Sequence, residues 1–262
     1  MPYLKVKGFV IREVPVGDAD RIVDILTADH GLITASARGA RRTRSALLMS
    51  TQIFSLSNFE IFINKGHYRI NSAELIEAFL SLHQDIDRLI CAAHLAEVLL
   101  DCTRDAMAQP ELYHLWAYTM QALQTQDDPL LVTHIAQLRM MAEIGFAPQA
   151  NACVICGNEL LQEKSLFSIR SCGTVCTASA CRSLAIDARI LSTGVLECLK
   201  HSLTAPFSRI YNVRLGPTVR SDFFGLSTAY LSHQMEKAYT RLNMLTDLQA
   251  SGQAWFQKSN RI

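Results

Sequence analysis

Over the first 75 residues the hydrophobic and polar positions fall into short runs broken by turn-forming residues. Strands are predicted at 5–14, 21–27, 32–37, 54–63 and 68–73, separated by Gly17-Asp18, Asp29-His30-Gly31 and Lys65-Gly66. In the fourth run Phe59, Ile61 and Ile63 share one face and Asn58, Glu60 and Phe62 the other, as a half-buried strand requires. Five strands in so short a segment predict a Greek-key barrel of the OB type, which closes its edges within about this length. From Glu74 onward the period changes to that of a helix. Residues 85–102 place Leu89, Ala92, Ala96 and Leu99 on one face. Asp128 and Pro129 read as an N-cap and a first-turn proline, and Leu131, Ile135, Leu138 and Met141 then keep register as far as Gly145, a left-handed stop. Near the end Leu231, Met235, Ala238, Leu242 and Leu245 repeat at helical spacing and predict an amphipathic closing helix, followed by a tail over 251–262 without a clear period.

The expected fold class is therefore α+β, a five-stranded OB-fold barrel followed by an α-helical domain that carries a small metal-binding module. The expected divisions are 1–78 for the barrel, 79–150 and 185–250 for two parts of the helical domain, 151–184 for the module and 251–262 for the tail. With 49% apolar and 19% charged residues, the 262-residue chain can bury a sizeable core. No apolar run reaches the roughly 18 residues of a membrane helix, and charges interrupt the N-terminus where a signal peptide would be hydrophobic, so a cytoplasmic address is expected. In such a reducing compartment the eight cysteines are thiols or metal ligands before they are disulfides.

The net charge of +1 hides a segregation. Residues 1–80 carry ten Lys/Arg against eight Asp/Glu, 81–150 three against nine, and 151–262 twelve against seven. Within 36–70 stand Arg38, Arg41, Arg42, Arg44, Lys65 and Arg69 against Glu60 alone, a local positive field suited to nucleic acid. The stretch 38–45 has no apolar residue larger than alanine and reads as a mobile basic loop; the bland alternative is a solvated loop with no ligand. OB folds bind single strands by backbone electrostatics and base stacking. Of the nearby aromatics Phe9, Phe54, Phe59, Phe62 and Tyr68, most are expected to fill the barrel, and only Tyr68 is offered as an exposed stacking candidate.

Five cysteines crowd into residues 153–181. Cys153-Val154-Ile155-Cys156-Gly157 has the form of a zinc knuckle and supplies half a tetrahedral site. The other half comes from Cys172, Cys176 and Cys181: Cys176 with Cys181 or Cys172 with Cys176 would complete it, while a motif without metal and a redox pair are the alternatives. Four sulfurs leave no position for water, so such a zinc is structural. Cys91, Cys102 and Cys198 sit in apolar helical contexts and read as core residues. The phosphate-loop, dinucleotide, nucleophile-elbow and zinc-protease motifs do not occur, and the eight histidines are scattered. Asp18, Asp20 and Asp24 read as a solvated acidic turn in preference to a magnesium site. The competing functional readings are an RNA-binding OB protein and an enzyme whose site has no motif.

Several of these segments, taken in order, resemble the RecO family of recombination mediators. Arg12 ends the first strand, Asp20-Arg21 starts the second, Gly31 makes a turn, and Arg38-Gly39-Ala40-Arg41-Arg42 follows. Ala73-Glu74 resembles the close of the family's barrel, Glu143-Ile144-Gly145-Phe146 the end of its central helix, Cys153–Gly157 its zinc knuckle, and Tyr230-Leu231, His233, Arg241-Leu242 and Leu245 its last helix. The resemblance covers nearly the whole chain. Matched on Gly173, it implies Cys176 as third and Cys181 as fourth ligand of one structural Zn2+ per chain, with Cys172 a spare. It further implies a protein without a catalytic centre, working in RecF-pathway DNA repair and recombination in the cytoplasm at the nucleoid. Such a protein binds single- and double-stranded DNA, anneals complementary strands, contacts the C-terminal tail of SSB, and with RecR helps load RecA onto SSB-coated strands, with RecF a further partner.

Overall fold

The computed structural model describes residues 3–103, 107–159 and 165–245, so the expected tail over 251–262 lies outside the described residues. The chain separates into two compact units, Met1–Ile86 with Leu99–Met120 and Asp87–Val98 with Gln121–Ile262.

In the first unit β1 (Tyr3–Val16), β2 (Asp20–Thr27), β3 (Gly31–Ala37), β4 (Leu56–Asn64) and β5 (His67–Glu77) close into a barrel in the order β1-β2-β3-β5-β4. This is the expected five-stranded OB arrangement. Every pairing is antiparallel except β3 with β5, which run parallel and share only two residue pairs, Ala35 with Tyr68 and Ser36 with Arg69. Alternate positions fill the interior: Val10, Val23, Ile25, Phe59, Ile61 and Ile70 form its core. In β1 the run Phe9-Val10-Ile11 is buried on both faces, because Val10 faces the barrel and Phe9 packs outside it against Phe79 (6.1 Å) and Tyr113 (5.5 Å). Phe54 likewise packs on Trp116 at 6.3 Å. Phe9 and Phe54 are thus buried outside the barrel core, where Phe59 alone of the expected aromatics sits.

The acidic group near β2 differs from its expected form. Asp18 is exposed, but Asp24 is buried on the strand, where it accepts hydrogen bonds from Arg12 Nε at 2.5 Å and Thr34 Oγ1 at 2.6 Å. A buried carboxylate with two donors is a structural tie across three strands.

Helices follow: α1 (Leu80–Gln84), α2 (Ile86–Cys102), α3 (Pro110–Thr125) and α4 (Pro129–Glu143). The predicted start of α4 is observed, with the Asp128 carboxylate accepting from Leu131 N at 3.0 Å and Gly145 at φ 92° beyond its end. Next come β6 (Ser165–Ser168), β7 (Gly173–Val175), α5 (Ser179–Leu184) and β8 (Arg189–Leu191), whose strands form a small sheet in the order β7-β6-β8. Helices α6 (Thr193–Thr204) and α7 (Pro217–Gln234) complete the described elements. In the second unit a buried polar chain joins α2, α4 and α7: His94 Nε2 donates to Gln137 Oε1 (2.9 Å), and the Gln137 amide donates to Ser227 Oγ (2.6 Å) and His134 Nδ1 (3.2 Å). Burial pushes both imidazoles below the usual histidine range, His134 to about 3.

The predicted closing helix over 231–245 is not continuous. The chain leaves α7 at Met235, Glu236 adopts φ 49°, and the segment turns so that Tyr239 packs edge-on to His94 while Lys237 (3.0 Å) and Arg241 (2.6 Å) pair with Glu97. Packing against α2 outweighs a helical spacing that would have carried these side chains past it. Among the described residues no helix is long and apolar enough to cross a membrane.

Candidate metal centre and nucleic-acid interface

The knuckle is built by backbone bonds. Gly157 N donates to Cys153 O (2.8 Å), Cys153 N to Asn158 O (2.9 Å) and Val154 N to Thr174 O (2.9 Å), so the turn is stitched to β7. Gly157 adopts φ 76°, which favours glycine. Gly173 is needed for contact: a Cβ there would lie 2.6 Å from Gln149 O and 2.7 Å from Val154 Cγ1. Cys176 follows β7, and Cys181 is presented from α5.

This places the sulfurs of Cys153, Cys156, Cys176 and Cys181 within 4.8 Å of one another, with Cys156 and Cys176 3.8 Å apart. A tetrahedral centre with bonds of about 2.3 Å has sulfurs about 3.8 Å apart. The four thiols could therefore hold a metal ion. Burial opposes ionisation of Cys153, but N–H donors of Cys176, Cys156 and Ile155 outweigh it and bring the thiol down to about 6. Hydrogen bonding to Cys176 and burial push Cys181 up to about 12. Cys172 lies outside the group. Its backbone is left-handed at φ 58°, and its sulfur accepts from Gln234 Nε2 at 2.8 Å. Cys91, Cys102 and Cys198 are buried, and burial holds the last two thiols up at about 12.

Arg38, Arg41, Arg42 and Arg44 are all exposed on successive turns after β3. The loop is more firmly held than its composition suggests: Gly39 N donates to Asp20 Oδ1 (2.7 Å), Arg41 N to Ala19 O (2.8 Å), Arg41 Nη1 to Gly17 O (3.0 Å), and Ala40 is buried in the barrel core. The pairing of Ser36 with Arg69 brings Arg69 close to this loop. Lys65 is exposed in the two-residue turn between β4 and β5, where Asn64 pairs with His67 and Lys65 itself adopts φ 47°.

Where β3 and β5 barely pair, an open groove of about 520 Å³ is lined by Ile22, Leu32, Thr34, His67 and Tyr68. Tyr68 is half-buried, one side packed on the barrel core and the other lining the groove. A second groove of about 550 Å³ on the β1–β4–β5 face has Lys5 and Lys7 beside Glu60 and Glu74. Sequence reading did not single out Lys5, Lys7 or His67, although the two lysines alternate on β1 as solvent-facing residues do.

The chain matches the models for the recombination protein O N terminal over residues 1–79 and for the recombination protein O C terminal over residues 83–243. A DNA repair protein RecO of Acetivibrio thermocellus is 31% identical over 95% of this chain and 98% of its own. Namesakes from Symbiobacterium thermophilum (28% identical, 96% and 100%) and Thermoanaerobacter sp. (26%, 95% and 99%) are similar over comparable lengths. With both family models matched in order and a relative aligned from end to end, the chain belongs to the recombination protein O family of DNA repair proteins.

Proposed function

We propose that this protein is a non-enzymatic recombination mediator that binds single- and double-stranded DNA and anneals complementary strands. In cells it works with RecR, and with RecF, to load RecA onto strands coated by SSB, whose C-terminal tail it contacts at the nucleoid. The observation that carries the reading is the open groove between β3 and β5 on a barrel whose third strand runs on into a loop of four exposed arginines. Tyr68 and His67 offer ring faces along that path, and Arg38, Arg41, Arg42, Arg44, Arg69 and Lys65 take the phosphates. Annealing needs no acid or base, only a cationic surface that offsets repulsion between two phosphate backbones. The cluster of Cys153, Cys156, Cys176 and Cys181 holds one structural Zn2+ that fixes the knuckle and α5 to the small sheet.

Complementary oligonucleotides mixed with the purified protein should anneal many-fold faster than alone, without nucleotide or magnesium. Strict dependence on ATP would overturn the non-enzymatic reading, and equal acceleration by a protein lacking the six basic side chains would move the DNA site off this face.

A further inference from the structure

We infer that Arg12, outside the basic stretch of 36–70, grips a phosphate of the bound strand on the β1–β2–β3 face of the barrel and that Asp24 is its positioning residue, a role that rests on the DNA-binding reading proposed above. In the β1–β2 ladder Val10 pairs with Ile25 and Arg12 with Asp24, so Ile11 is the extra residue of a bulge. Val10 belongs to the barrel core, and plain alternation would send Arg12 the same way. The bulge reverses the parity beyond it, and the Arg12 side chain emerges 58% exposed. Bulges recur beside active sites, where they re-aim a side chain.

Asp24 is the opposite case, an acid 2% exposed on the middle one of the three strands. Its Oδ2 accepts from Arg12 Nε at 2.5 Å and its Oδ1 from Thr34 Oγ1 at 2.6 Å. Stability alone does not explain this arrangement, because apolar residues commonly hold a structure as well as a buried ion pair does. What the pair achieves is orientation. Bonding through Nε fixes the guanidinium plane and leaves both Nη groups without a partner among the described residues, a planar fork matched to two phosphate oxygens.

The surroundings suit a nucleic-acid backbone. Thr34 lines the groove that Tyr68 also lines, so Asp24 ties Arg12 to the groove wall. Four positions back along β2, about 13 Å away on the same face, Asp20 accepts from Gly39 N and holds the arginine loop. Between the two acids Val14 and Ile22 pair across the strands and are 42% and 39% exposed. This face therefore carries a cationic group at each end and an apolar shelf between them. Single strands are bound by that combination, with charge on the backbone and ring contact for the bases.

The test measures binding of fluorescent oligo(dT) to the full chain across a range of salt. Arg12→Ala should weaken binding about tenfold, as loss of one charge-assisted contact does, and lower the magnitude of the salt slope by about 0.7. Asp24→Asn is the sharper variant because the sign of its effect decides. A carboxylate that merely stands near DNA repels it, so removing its charge would tighten binding, whereas loss of a positioning residue should weaken binding several-fold. In the Arg12→Ala background Asp24→Asn should bring no further loss. Arg12→Lys, which keeps a cation beside Asp24 but loses the fork, should also weaken binding and provides the test if the other variants fail to fold. Tighter binding by Asp24→Asn, additive losses in the double variant, or unchanged affinity in the Arg12 variants would overturn the proposal. Arg41→Ala/Arg42→Ala, measured alongside, separates the two readings: weakening there with wild-type affinity in the Arg12 and Asp24 variants overturns this inference alone, and wild-type affinity in all of them overturns the barrel-face DNA site with it.

Discussion

Cys172 and Cys181 flank Cys176 within five residues on either side, yet their surroundings give them different chemistry. Cys181 faces three other thiols, whereas Cys172 is turned away by a left-handed backbone and engaged by the Gln234 amide. Its neighbour Gly173 cannot carry a side chain without displacing Gln149 or Val154, so the turn that separates the two sulfurs is sterically set. Elemental analysis under reducing, chelator-free conditions should therefore find about one zinc per chain in the wild type and in Cys172→Ala, but markedly less in Cys181→Ala. Retention by Cys181→Ala with loss in Cys172→Ala would reverse the ligand assignment. At this scale the knuckle was legible because Cys153–Gly157 is a local signature. The choice between Cys172 and Cys181 is less local, resting on a φ angle and on a glutamine 62 residues away.

Among the helices, α3, α4 and α7 each begin with proline, at 110, 129 and 217. Proline supplies a preset φ and lacks the N–H that a first turn cannot satisfy. Only α4 adds a capping aspartate, which is why it was the one of the three read from sequence. Asp128 also fastens α4 to α7, because both its oxygens accept from Arg220, at 2.6 and 2.9 Å. Burial opposes its ionisation, but the bonds from Arg220 and Leu131 outweigh it and hold the carboxyl below its usual range. A lost cap costs about 0.5–2 kcal/mol. The ion pair is about one-third exposed and adds little beyond that after screening, so Asp128→Ala should cost about 1–2 kcal/mol in urea unfolding. A folded pKa below the unfolded value contributes stability that is full above about pH 4 and lost as pH falls further. The gap between wild type and variant should accordingly narrow as the pH is lowered through about 4; a constant gap would mean that the carboxylate's charge plays no part. The end of α7 shows the converse, a correct apolar spacing overridden by contacts of Tyr239, Lys237 and Arg241 with α2.

For the whole molecule, near-neutral net charge coexists with a basic barrel face, and this separation yields the most direct measure of DNA contact. If Arg41 and Arg42 each neutralise one single-strand phosphate, replacing both by alanine should lower the magnitude of the log affinity against log salt slope by about 1.4, at about 0.7 per contact, equally across sequences. An unchanged slope and affinity, with circular dichroism showing an intact fold, would make the loop a bystander. The hydrogen bonds from Arg41 to Gly17 and Ala19 hold the loop in shape, so a phosphate contact made there would not be reduced by the cost of ordering it. The sequence by itself determined the strand-rich first third, the two clearest helices, the cysteine knuckle and the basic excess of 36–70, because each is written in residues close together along the chain. Only the tertiary structure decided that Asp24 is buried and that Phe9 and Phe54 pack outside the barrel core. It also decided that α7 stops at Gln234. These outcomes depend on strand register, on closure and on which distant side chains meet, and the free energies of such contacts are set between segments that no local pattern relates.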